Sequence, residues 1–188
     1  MASRPLRKSE IEFARQVFED RLPYDRVYLS SRFLPFNEGT AATVASLSAF
    51  VPVRAMRSYT IFAGPEVFDE GADDPRFRDT FIHELTHVWQ GYHGVLGWAY
   101  MAQSLLWQGY AVLTQGHRNK AYDYEPGAAW GDYNVEQQAL LVQDWYLNGM
   151  REDDERFPYI AGHIRAAKGR ASPPKASRAT RSSSRAKG

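Results

Sequence analysis

The segment Phe81-Ile82-His83-Glu84-Leu85-Thr86-His87-Val88-Trp89-Gln90 sets two histidines four residues apart in an otherwise apolar run that reads as a buried helix. On a helix of 3.6 residues per turn, positions i and i+4 stack on one face, so His83 and His87 aim two imidazoles at one point. Polar side chains buried in such a helix need partners to offset their desolvation, and a metal ion supplies one. The HExxH spacing is that of a helix that holds zinc. Glu84 is rotated by roughly 100° about the axis from His83. That is too far round for a third ligand, but it places the carboxylate against a water on the ion, so Glu84 is the candidate general base.

A chain of 188 residues is one domain with room for a sizeable core. Hydrophobic residues make up 44% and aromatics 14%, a globular composition. Cysteine is absent, so no disulfide framework exists and a zinc site must use histidine and carboxylate ligands. The opening Met-Ala-Ser-Arg-Pro-Leu-Arg-Lys leads into Ser9-Glu10-Ile11-Glu12 instead of an apolar run, so no Sec signal is expected and synthesis is cytoplasmic. The most apolar stretch, Val95 to Leu113, is interrupted by Gln103, Gln108 and Gly109 and reads as a buried helix; no transmembrane segment is expected.

The net charge of +1 conceals a split. Residues 161–188 hold eight Lys or Arg and no acid, which leaves 15 basic against 22 acidic residues in 1–160. The expected organisation is a domain over 1–170 and a basic, disordered tail over 171–188, too poor in apolar side chains to repay ordering. Such a tail can contact polyanions, although a solvated terminus is the commoner case.

Ser9-x-x-Glu12 reads as a capping box for a helix over 9–20. Residues 25–29 and 58–62 read as short strands, the latter a candidate edge for a peptide to pair with, and 33–53 as loosely assigned strand and hairpin material. The acidic stretch Asp69, Glu70, Asp73, Asp74 lacks calcium-loop spacing. Asp74 before Pro75 instead starts the HExxH helix, expected to break at Gly91. Further helices are expected over 96–113, over 135–148 behind an Asn134 cap, and from Phe157 or Pro158 to Lys168.

A catalytic zinc keeps three protein ligands and an open position. His93 has the reach of HExxHxxGxxH, but Gln90 stands where that motif needs glycine and the glycine falls at 91. Glu136, near the start of a helix with other faces buried, is a carboxylate alternative, and Asp132, Asp144 and Glu125 stay open. Tyr133, Tyr124 or His117 could donate to the oxyanion.

Three stretches carry a resemblance: Arg4-Pro5-Leu6 with Glu10-Ile11, the string from Phe81 to Gln90, and Tyr133-Asn134-Val135-Glu136-Gln137-Gln138-Ala139 followed by Val142, Asp144 and Tyr146. Over residues 4–148 the chain resembles the bacterial vgr-related proteins and the metallopeptidase domain at the C-terminus of some valine-glycine-repeat spike proteins of type VI secretion. The resemblance implies an α+β, zincin-like domain of gluzincin type, mainly helical with a small sheet, and Zn2+ held by His83, His87 and Glu136. It implies a zinc metallopeptidase acting on a peptide or protein substrate, a secretion-apparatus partner, and export by a contact-dependent secretion system. Leu140 stands where many gluzincins carry a further aspartate. The competing expectation is a spike-associated or toxin-delivery binding protein whose zinc site is structural or vestigial. A nucleic-acid protein acting through the tail is disfavoured by the acidic body and the lack of a recognised DNA-binding motif.

Overall fold

Alternating apolar and polar side chains build the sheet against which the helices pack. The computed structural model describes residues 2–34, 41–45, 58–94 and 123–166. Strands β1 (Ser3–Pro5), β2 (Val27–Ser30), β3 (Ala42–Ala45) and β4 (Tyr59–Phe62) form one mixed sheet in the order β1-β2-β4-β3. β2 and β4 are parallel, while β1 and β3 run antiparallel on the two flanks. The register sets Leu29 beside Ile61 and Ile61 beside Thr43, so these three share one face, continued by the pair Val27 and Tyr59. All five are buried, whereas Tyr28, on the opposite face, is exposed.

The expected strands at 25–29 and 58–62 are β2 and β4, but β4 lies between two paired neighbours. It therefore has no free edge for a peptide, and among the described residues the flank of the sheet on the HExxH side is β3. β1 has no alternation to betray it; Pro5 is tolerated there because the strand is an edge.

Helix α1 (Lys8–Phe18) begins one residue ahead of the expected cap. The side chain that caps it is Glu10, which accepts from the Arg7 amide at 2.7 Å and pairs with Arg4 at 2.8 Å, while the Ser9 hydroxyl reaches Asp73. Gly64–Glu70 forms a short helix, α2, where a strand stop and an acidic loop were expected; Pro65 sits in its first turn, where the missing N–H costs nothing. Arg4 and Arg7 donate to the carbonyls of Phe68 and Asp69 at its C-terminal end.

Asp74 accepts from the Arg76 amide at 2.9 Å and starts a turn over Pro75–Phe77 that runs into α3 (Arg78–His93). α3 does not break at Gly91. Glycine inside a helix costs about 1 kcal/mol relative to alanine, and the buried packing of Val88, Gln90 and Gly91 outweighs it. α4 (Val135–Leu147) follows the Asn134 cap and ends before Gly149, whose φ of +82° suits glycine. A short turn of helix, Phe157–Tyr159, continues into a π-helical turn over Ile160–Ile164.

α3 packs along α4 and against β3, with Phe81, Ile82, Leu85, Leu141, Trp145 and Ile164 fully buried around that contact. Burying each such side chain contributes about 1.5–3 kcal/mol. The helix expected over 96–113, His117, most of 33–53 and the basic tail lie outside the described residues. Among the described residues, no helix is long and apolar enough to cross a membrane.

Candidate metal centre

The Asn134 side chain accepts from the amides of Glu136 and Gln137, each at 2.9 Å, and Gln137 Oε1 accepts in return from the Asn134 amide at 3.0 Å. This reciprocal cap fixes the first turn of α4. Glu136 thereby projects from α4 onto the face of α3 that carries both histidines. Its Oε2 lies 3.4 Å from His83 Nε2 and 3.5 Å from His87 Nε2. Among the described residues, these three form the one group able to hold a metal ion, with their ligand atoms within 4.8 Å of one another.

Zinc bonded to nitrogen and oxygen at about 2.0–2.1 Å in a tetrahedron sets its ligand atoms about 3.3 Å apart. The imidazole-to-carboxylate separations match that spacing. His87 Nε2 is also a buried nitrogen without a hydrogen-bond partner, facing the carboxylate. Two imidazoles and one carboxylate are a borderline-soft donor set suited to zinc. The residues present thus fit the ion.

Burial alone would push the His87 imidazole down, but the Glu136 carboxylate, with Glu84 nearby, outweighs it and holds the group up at about 9. Glu136 shows the mirror image: burial disfavours its charge, yet the two imidazoles hold its carboxyl well below the usual carboxylate range. The two shifts run in opposite directions from one cause, the closeness of a buried imidazole and a buried carboxylate.

Each histidine turns its other nitrogen to an amide. His83 Nδ1 meets Gln143 Oε1 at 3.0 Å, and His87 Nδ1 meets Gln90 Oε1 at 2.8 Å. Glu84 is buried on α3, and Thr43 on β3 donates to its Oε2 at 2.7 Å, with the Glu84 carbonyl 3.1 Å from the same hydroxyl. Gln143 and Thr43 were not singled out in the sequence, and Gln90 was noted only for standing where a motif needs glycine. Gln90 gave a signal, since it lies three residues beyond His87 and seven beyond His83, on their face.

The other candidates go elsewhere. His93 Nε2 donates to the Arg21 carbonyl at 2.7 Å, tying the end of α3 to the loop after α1. The Tyr133 hydroxyl donates to the Glu125 carbonyl, and the Tyr124 hydroxyl donates to Asp144 and accepts from Arg156. Asp132 accepts from the Ala129 amide in a local turn.

No family profile matches the chain. Over 152 residues, 78% of the chain, it is 34% identical to the type VI secretion system spike protein VgrG2b of Pseudomonas aeruginosa, and the matched stretch spans 13% of that protein. The solved effector domain of VgrG2b superposes with a TM-score of 0.56 at 29% identity, covering 84% of this chain and 82% of that one. In sequence and in fold alike, the chain is similar to the effector domain of a type VI secretion spike protein.

Proposed function

We propose that the chain is a zinc-dependent peptidase of zincin-like architecture that serves as a type VI secretion effector. The observation that carries the chemistry is the convergence of His83, His87 and Glu136 from two helices at zinc-ligand spacing, with Glu84 near enough to act on the charge of His87. The similarity to the VgrG2b effector domain supports the delivery route and a spike-apparatus partner.

Zinc held there would acidify a water and stabilise negative charge on a carbonyl oxygen. The chain's own residues supply the rest. Glu84 cannot share the ligand direction of His83, so its carboxylate is available to take the proton of the attacking water and pass it to the leaving amine. Thr43 holds that carboxylate in place from β3, and Gln143 and Gln90 orient the imidazoles. Among the described residues β3 is the flanking strand beside α3, and its outer edge is where an extended peptide would pair.

A purely structural zinc site normally has four protein ligands; among the described residues three converge, which favours the catalytic reading over the binding-protein alternative. The test is zinc stoichiometry followed by hydrolysis of denatured casein. One zinc per wild-type chain is expected, lost in His83→Ala, His87→Ala and Glu136→Ala but kept in His93→Ala. Zinc retained by Glu136→Ala, or casein left intact by the loaded wild type, sinks the reading.

A further inference from the structure

Gln138 has no place in the chemistry above, and Gln90 enters it only through His87. Gln90 closes the HExxH string and Gln138 lies two residues after Glu136; both are buried. Gln138 Nε2 donates to the carbonyls of Trp130 and Tyr133, at 3.0 and 3.2 Å. A backbone carbonyl only accepts, so this amide has one permitted orientation and its Oε1 must point away from them. That oxygen accepts from Gln90 Nε2 at 3.0 Å, and the same Nε2 donates to the Val135 carbonyl at 2.9 Å. Gln90 is thereby oriented as well, its Oε1 facing His87 Nδ1 at 2.8 Å. An oxygen at that distance requires the proton on Nδ1.

We propose that Gln138 and Gln90 form a one-way hydrogen-bond relay that writes the Nδ1–H tautomer of His87 and so reserves Nε2 for the metal. Both are positioning residues, and Gln138 touches no ligand. The polarity starts at three backbone carbonyls and ends at the imidazole, with no member free to reverse. The relay also joins the two halves of the site. Val135 precedes Glu136, so the amide that orients His87 on α3 also fixes the turn of α4 that presents the third ligand.

The relay makes a prediction opposite to that of a simple acceptor. If Gln90 served only to accept from His87, a carboxylate would accept better, and Gln90→Glu would hold zinc at least as tightly. In the relay, the second carboxylate oxygen would face the Val135 carbonyl and Gln138 Oε1, acceptor against acceptor. Gln90→Glu is therefore expected to weaken zinc binding, and Gln138→Leu, which leaves both Gln90 and the ligands in place, to weaken it too. Outer-shell losses of this kind are about 10–100-fold in metal affinity.

The relay rests on the metal reading, so the zinc dissociation constant of the wild-type chain is measured first, by competition with a chromophoric chelator. Absence of zinc from the wild type overturns that reading and the relay with it. Zinc on the wild type with undiminished affinity in Gln90→Glu or Gln138→Leu overturns the relay alone. Metal-free melting checks that each variant folds. A long-range 1H–15N correlation spectrum of zinc-loaded wild type adds a check that needs no variant: a protonated Nδ1 and a metal-shifted Nε2 at His87 are required, and the reverse assignment overturns the relay.

Discussion

Glu136 and His87 face each other at 3.5 Å across the contact of α3 with α4, each holding the other in its charged form. The raised imidazole stabilises the metal-free fold fully below about 6.5, its unfolded value, and loses that contribution as pH climbs through about 9. The depressed carboxyl acts in the opposite sense, contributing above its unfolded value of 4.5 and losing that contribution as pH falls through its low folded value. On the proposed reading, zinc entering the site would have to expel the His87 proton at any pH below about 9. Titration calorimetry at pH 7 in buffers of different ionisation enthalpy should therefore record about one proton released from this group per zinc, with affinity rising as pH rises. Buffer-independent heats would contradict the ion pair.

Glu84→Gln should separate turnover from metal. The carboxylate is held by Thr43 and is not one of the three residues that would ligate the ion, so the variant should keep zinc and its melting temperature. Casein hydrolysis should fall by about 10²–10⁴-fold, the usual worth of a positioned general base. Wild-type turnover by this variant would reassign the base.

Thr43→Val removes a hydroxyl and keeps the shape. It leaves Glu84 Oε2 buried without its donor, and a hydrogen bond to a charged group is worth about 1.5–3 kcal/mol. Turnover should drop by at least about tenfold with zinc affinity unchanged, and Thr43→Ser should restore it. A matching loss of zinc would show that the hydroxyl supports the fold of the site instead of the base.

Gly71→Ala is expected to destabilise the chain through the cap of α1. Gly71 has φ +60°, and a Cβ there would stand 1.9 Å from Glu10 Oε1. Glu10 is fully buried and already committed to Arg4 and the Arg7 amide, so it cannot yield without breaking the cap of α1. Urea unfolding should show a loss of about 1–3 kcal/mol. An unchanged midpoint would mean that the Glu10 carboxylate moves freely.

What the sequence made legible was whatever repeats at a fixed interval along one element. His83 and His87 are four residues apart on one helix, and Asn134 announces the turn that aims Glu136. Thr43 and Glu84 are 41 residues apart and meet only because β3 lies against α3, a contact that no local pattern encodes. Gln143 reaches His83 across 60 residues for the same reason. α2 was misread because Gly64-Pro65 ends a strand and starts a helix equally well, and the choice fell to the packing of Val67. His93 has ligand spacing in the sequence, but the helix runs on through Gly91 and carries it past the site to Arg21.

The sheet order puts the four-residue strand β3 at the flank, hydrogen-bonded on the β4 side, with Thr43 opposite Ile61. A slip of one residue along β4 would turn every β3 side chain to the opposite face. Ala42 or Val44 would then stand where Thr43 does, and neither carries a hydroxyl. Such a chain would keep its helices, its imidazoles and its third ligand, and would pass as native by circular dichroism and by metal content. At the site it would leave a buried carboxylate facing a methyl group in place of its donor, so the register of one four-residue strand decides whether that carboxylate is held.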